Sequence, residues 1–223
     1  MSTSGTSRER RNSASERGAA FGRGLGIGLI NTLWNARVLG SWRVPAQGPV
    51  ILAVNHSHNV DGPMLMGLAP RPVHFLIKKE AFAGPLGTFL RSIGQLSVDR
   101  EAVDRSAVTD ALGVLAEGKV LGIFPEGTRA GGGDFGALRA GLTYFAVRSG
   151  APVVPVAVLG SAERPGRLIR ELPALRSRVD IVFGDPFEVP SGRRTRAALD
   201  DATVRVQERL TSHLKTARQL TGR

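Results

Sequence analysis

The chain contains no cysteine. Disulfides, thiolate zinc sites and a cysteine acyl-enzyme are therefore excluded, and the composition is compatible with a reducing cytoplasm. Aromatic residues make up only 5%, too few rings for the stacking platforms that single-stranded nucleic-acid binders use. No helix-turn-helix, zinc-finger or RNA-recognition pattern is present, so nucleic acid is not an expected partner. Histidine is scarce: His56, His58, His74 and His213 are the whole supply. No run is long and apolar enough to read as a transmembrane helix. Arg10-Arg11 lacks the apolar run of a twin-arginine signal, and the later apolar stretch has no clear cleavage site. There is no internal repeat.

What is present is basic. The 223 residues carry a formal charge of +11, which favours polyanions, anionic lipid headgroups or phosphorylated substrates. The length suits one α/β domain, or one domain with a terminal appendage. A hydrophobic fraction of 42% supports a sizeable core.

Three regions follow from composition. Residues 1–20 are Ser, Thr, Arg and Glu with almost nothing to bury, and read as a disordered basic tail. Residues 21–44 form an apolar helical segment. At helical pitch Ile27, Ile30, Trp34 and Val38 share one side, and Leu25, Leu29 and Leu33 another. One side can pack on the protein while the other enters a bilayer surface, with Trp34 and Trp42 as interfacial anchors. An ordinary packed helix is the alternative. Residues 45–223 form the main domain.

In that domain strands and helices alternate. Apolar runs at 50–54, 73–77, 120–124, 153–159 and 179–183 read as strands. Helical patterns are clearest at 103–117, at 138–148 and from about 194 onward. Such alternation predicts a mainly parallel β-sheet covered by helices. Ligands of such sheets lie beyond the carboxyl ends of the strands. Two polar stretches fall at that edge: Asn55-His56-Ser57-His58-Asn59-Val60-Asp61-Gly62-Pro63 and Phe124-Pro125-Glu126-Gly127-Thr128-Arg129.

The first stretch can be a solvated turn, or it can hold a base. In the second reading Asp61 accepts the Nδ1 proton of His56 and leaves Nε2 free to deprotonate a hydroxyl. Ser57 adjoins His56 in sequence, which is poor geometry for a nucleophile–base pair. Arg100 and Arg129 are forked cations suited to a phosphate monoester. Gly127 permits close backbone approach to a ligand, and Thr128 offers a hydroxyl donor. His56-x-His58-x-x-Asp61 also resembles a two-metal His-x-His-x-Asp box, but the aspartate is one residue off. His74 and His213 lie in no ligand-like cluster, so no metal is expected.

The two stretches resemble the first and third motifs of the glycerolipid acyltransferases, most closely the 1-acyl-sn-glycerol-3-phosphate acyltransferases. Lys79-Glu80, Pro85, Gly87 and Gly94-Gln95-Leu96-Ser97-Val98-Asp99-Arg100 are similar to the second motif, with Arg100 at the phosphate-binding arginine. Ala151-Pro152-Val153-Val154-Pro155-Val156-Ala157 is similar to the fourth. The resemblance spans residues 50–159. It implies an acyltransferase domain that moves a fatty acyl group from acyl-CoA or acyl carrier protein to the sn-2 hydroxyl of 1-acyl-sn-glycerol-3-phosphate, making phosphatidic acid. The thioester is a co-substrate, and no cofactor is implied. His56 and Asp61 would be catalytic, and Arg100, Glu126, Gly127, Thr128 and Arg129 would bind substrate. Glu126 would either bind a glycerol hydroxyl or hold Arg129. Backbone amides near Gly62 or Gly127 are the oxyanion-hole candidates. Where the family often has Phe-Lys-x-Gly, this chain has Leu138-Arg139-Ala140-Gly141, which leaves another lysolipid acceptor open. A metal-dependent hydrolase and a catalytically silent lipid-binding protein are the rival classes. The expected location is the cytoplasmic face of the membrane, as a peripheral protein on its anionic surface.

Replacing Arg100 or Arg129 by Ala should lower apparent specificity for phosphate-bearing acceptors by about ten- to a hundred-fold, the loss of one charge-assisted contact. An equal loss with an acceptor that lacks phosphate would show that these arginines hold the fold instead.

Overall fold

Strands buried on both faces, with side chains alternating between two apolar clusters, set the architecture. In residues 50–54, Val50, Leu52 and Val54 join one cluster, while Ile51 and Ala53 join the other. Such strands need helices on both sides. The computed structural model describes Gly24, Ile27, Gly28, Ile30, residues 32–99, 104–126, Leu138, and residues 140–161, 173–190 and 196–223. The tail expected over 1–20 and part of the 21–44 segment lie outside them.

The elements are β1 (Asn35–Leu39), β2 (Val50–Val54), α1 (Asp61–Leu68), β3 (Val73–Lys78), α2 (Gly84–Ser92), β4 (Leu96–Val98), α3 (Arg105–Ala116), β5 (Val120–Ile123), α4 (Gly141–Ser149), β6 (Val153–Leu159), β7 (Arg178–Phe183) and α5 (Arg196–Thr221). The seven strands form one sheet in the order β1-β7-β6-β2-β5-β3-β4. Every pair is parallel except β6 with β7, so β1 and β7 run against the other five. The mainly parallel, helix-covered sheet read from the sequence is the one observed.

Helices α3, α4 and α5 cover one face through Ala111, Leu115, Leu142, Phe145, Val206, Leu210 and Leu214. The other face is covered by Met64 and Leu65 of α1, with Ile30 and Trp34 from the N-terminal segment. The strand ends are uneven. Val54, the last residue of β2, pairs with Val156, and β6 continues three residues further. Ile123 ends β5 opposite Ala53, while β3 runs on past it to pair with β4. The carboxyl edge therefore has a notch at β2 and β5, roughly 10 Å deep on the β6 side at 3.3 Å per residue. At the opposite edge Arg71 donates to the carbonyls of Pro45, Gly48 and Gly118, tying those loops shut.

Two expectations for the 21–44 segment are corrected. Gly24, Ile27, Gly28, Ile30, Thr32 and Leu33 are helical, but residues 35–39 are the edge strand β1. The apolar spacing that suits a helix conceals a strand alternation. Ala36 and Val38 pack toward one cluster and Leu39 toward the other, and backbone pairing with β7 supplies the hydrogen bonds. Trp34 is no interfacial anchor: it is only 7% exposed, and its Nε1 donates to the Pro173 carbonyl at 3.1 Å. Trp42 is exposed, but it follows the end of β1 that points away from the carboxyl edge of β2. The strand β4, at three residues, is too short to carry a pattern in the sequence. Its approach is secured by Gln95, whose side chain accepts from Phe75 N and donates to the Val73 carbonyl.

Asp180 ties the reversed strands to the chain end. Its carboxylate is fully buried and meets Arg37 at 2.7 Å, Arg178 at 2.9 Å and Arg223 at 3.3 Å. Arg178 also donates to the Thr221 carbonyl at the end of α5. Asp180→Asn should cost about 1.5–3 kcal/mol, as for a hydrogen bond to a charged group. The measurement is the urea midpoint at unchanged slope; an unmoved midpoint would show the cluster to be dispensable.

Candidate active site

Asn55 starts the site by continuing a strand pairing with its side chain. Fully buried, it accepts from Val158 N at 2.7 Å and donates to the Val158 carbonyl at 3.0 Å. The chain is thus held to β6 one residue after β2 ends, and the loop that follows lies in the notch. The sequence alone assigns Asn55 no role, because its partner is 103 residues away. A buried amide that satisfies a backbone donor and acceptor is a strong positional lock, since each bond left unmade would cost about 1–3 kcal/mol.

Asp61 closes the loop from its other end, at the first residue of α1. Its carboxylate is fully buried. Oδ2 accepts from Ser57 N at 2.8 Å and His58 N at 2.6 Å, and stands 3.5 Å from His56 Nδ1. Burial of a carboxylate costs several kcal/mol. Two charge-assisted amide bonds return about 1.5–3 kcal/mol each, and the helix start adds about 0.3–1. The offset leaves a negative charge aimed at one imidazole. Among the described residues, His56 Nδ1 has no hydrogen-bond partner, and Asp61 Oδ2 is the acceptor it faces. A proton on Nδ1 pointing at that oxygen leaves Nε2 bare.

The imidazole face is set by a column of rings. His56 lies over Phe124 with centroids 4.3 Å apart, and Phe124 stacks on Phe75 at 5.3 Å. Phe75 pairs in register with Gly122 of β5. The missing side chain at Gly122 makes room for the Phe75 ring, since a Cβ there would overlap it. The column spans β5 and β3, so their adjacency fixes the orientation of the base.

A cavity of about 800 Å³ opens beside it, lined by His56, Gly62, Met66, Ile77, Leu86 and Leu90 among others. That volume is in the range of ligand sites, and the lining is largely apolar. Gly62 is in the first turn of α1, where helix amides lack intrahelical acceptors. Glu126 is buried two residues beyond Phe124. Arg100, Gly127, Thr128 and Arg129 lie outside the described residues. The residue before Arg100 is held firmly: Asp99 pairs with Lys79 at 2.6 Å, and its amide donates to Asp104, the N-cap of α3. The bond from the Asp99 amide, with those from the Ser106 hydroxyl and the Ala107 amide, holds the Asp104 carboxyl down at about 2.

The other histidines are differently employed. His58 gives its backbone amide to Asp61. His74 Nδ1 bonds the Gly94 carbonyl at 2.7 Å. His213 Nε2 bonds the Val182 carbonyl at 3.0 Å, and burial lowers its pKa. No group of three or more His, Cys, Asp or Glu able to hold a metal occurs among the described residues.

Known proteins are similar to this chain. A family model described as Acyltransferase matches residues 35–159. The chain is 29% identical over 188 residues to the 1-acyl-sn-glycerol-3-phosphate acyltransferase of Bacillus subtilis (strain 168), covering 81% of this chain and 90% of that protein. It is 35% identical over 120 residues to the lyso-ornithine lipid O-acyltransferase of Pseudomonas aeruginosa, covering 53% of this chain and 45% of that one. Among solved structures it is similar to the 1-acyl-sn-glycerophosphate acyltransferase PlsC of Thermotoga maritima, with a TM-score of 0.66 and 23% identity, covering 93% of this chain and 83% of that chain. At that identity the likeness shows the fold.

Gly122→Ala should displace Phe75, and through Phe124 the His56 ring. The expected outcome is a loss of about 1–3 kcal/mol in stability from overpacking, together with lower turnover at little changed substrate affinity. Gly113→Ala, which meets open space on α3, should leave turnover intact. Wild-type turnover in folded Gly122→Ala protein would show that the column does not orient the base.

Proposed function

Since the chain belongs to the acyltransferase family, we propose that it transfers a fatty acyl group from a thioester to the sn-2 hydroxyl of 1-acyl-sn-glycerol-3-phosphate, making phosphatidic acid for phospholipid synthesis. The observation that carries this reading is the His56–Asp61 pair at the side of an apolar cavity. His56 Nε2 takes the hydroxyl proton as the oxygen attacks the thioester carbonyl. The tetrahedral intermediate collapses, the carbon–sulfur bond breaks, and the thiol leaves with the proton from His56. A thioester already carries a good leaving group. The protein therefore has to supply a base, an oxyanion donor and alignment.

Asp61 stabilises the imidazolium as it forms. Its charge is fixed 3.5 Å away and needs no reorganisation during the reaction. Gly62 is an oxyanion candidate by its position on the cavity wall. Arg100 and Arg129 hold the phosphate, and Glu126, Gly127 and Thr128 complete the acceptor site in this proposal. The donor is acyl-CoA or acyl-carrier protein. A second reading, another lysolipid as acceptor, is favoured by the altered Leu138-Arg139-Ala140-Gly141 stretch and by the Pseudomonas aeruginosa relative. No helix among the described residues is long and apolar enough to cross a membrane. The proposed working position is peripheral, on the cytoplasmic face of the membrane.

The test is purified protein, a labelled long-chain acyl thioester and a panel of lysolipids in detergent. Labelled phosphatidic acid is the expected product. No acylated product with any acceptor, from folded protein, would overturn the enzymatic reading. His56→Ala should lose about a hundred- to ten-thousand-fold in turnover, the usual worth of a general base, and His58→Ala far less. The reverse order would move the base to His58.

A further inference from the structure

Helix α2 has more apolar surface than the protein covers. Leu90 is buried, and Ile93 just beyond the helix packs with it and Phe82 in a small satellite cluster. Leu86 and Phe89 continue the same stripe outward, yet Leu86 is 57% exposed and Phe89 42% exposed. Leu86 is also a wall of the His56 cavity. The mouth of that cavity therefore lies at the exposed apolar patch. Lys78 lines the cavity and Arg91 stands on α2 itself, two cations at the rim, while Lys79 is paired with Asp99. Arg91 is held in place by the Phe82 carbonyl at 3.1 Å.

We infer that α2 is a membrane-docking helix, with Leu86 and Phe89 inserted among the acyl chains of an anionic bilayer so that the cavity opens directly into the lipid. The inference deepens the proposed acyl transfer and rests on that reading for what enters the mouth. Three observations favour a bilayer as occupant. An apolar stripe with a basic rim is the pattern of interfacial helices on anionic lipid. The apolar patch continues into an apolar cavity, as passage of an alkyl chain requires. Of the two tryptophans expected to anchor the N-terminal segment, Trp34 is packed in the core, and Trp42, though exposed, follows the end of β1 that points away from the carboxyl edge of β2.

The test uses the full chain. In a Trp42→Phe background, Phe89→Trp adds a reporter on the outer face of α2, while Trp34 stays buried. Vesicles of phosphatidylglycerol with brominated acyl chains should quench the reporter well beyond the background protein. Phe89→Asp should weaken co-sedimentation with such vesicles by about ten- to a hundred-fold, the partitioning worth of one phenyl side chain. Its turnover on detergent-dispersed substrate should persist. No quenching, with the protein still bound to vesicles, would overturn the inference and place docking elsewhere. Unchanged vesicle binding by Phe89→Asp, with turnover lost only for a donor on acyl carrier protein, would make α2 a protein-docking face and also overturn it. Quenching in a protein that acylates nothing in detergent would sink the proposed chemistry and keep the docking helix.

Discussion

The buried charge of Asp61 is the constraint around which the site is arranged. A carboxylate with no solvent exposure must be met by donors, and the two amides of Ser57 and His58 meet it only if the chain turns back on itself at once. That turn sets the entry to α1 and places His56 on the same oxygen. Asn55 resists the same loop from the β6 side. The base is therefore held between two polar locks, on a rigid strand end and a helix start. Preorganisation of this kind is what a general base requires, because a displacement of about 1 Å can cost a hundred-fold in rate.

The polar locks fix where His56 is, and the ring column fixes how it faces. Its three rings depend on a glycine in β5 and on the pairing of β5 with β3. Sheet register is thereby coupled to catalytic geometry. A one-residue slip of β3 would turn Phe75 to the opposite face and remove the support under Phe124. Apolar packing and chemistry share the same side chains here, so substitutions in this part of the core should be felt at the base before they are felt in the fold.

The legible features were those encoded locally. His56 and Asp61 are five residues apart, and one turn brings them together, so spacing sufficed. The central strands announced themselves as short β-branched runs. The obscured features depended on distant partners. Asn55 acts on Val158, 103 residues away. Phe124 gains its role only when β5 lies beside β3. Residues 35–39 have apolar spacing that fits either a helix or a strand, and pairing with β7, over 140 residues later, decides for the strand. By its chemistry Trp34 suits a membrane interface, but a tertiary acceptor, the Pro173 carbonyl, draws it inward.

The economics of moving an alkyl chain bear on where the cavity opens. Each methylene brought from lipid into water costs about 0.8 kcal/mol. A chain of about fourteen methylenes that crossed even a thin aqueous gap would face on the order of 11 kcal/mol, roughly eight powers of ten in equilibrium population. No catalytic group could restore that loss. Insertion of Leu86 and Phe89 would contribute only about 1.5–3 kcal/mol each, a modest and reversible affinity. Their greater effect would be to remove the aqueous gap at the mouth. In this protein the apolar outer face of α2 and the apolar wall of the cavity share one side chain, Leu86, and that continuity is what a chain sliding from bilayer to base requires.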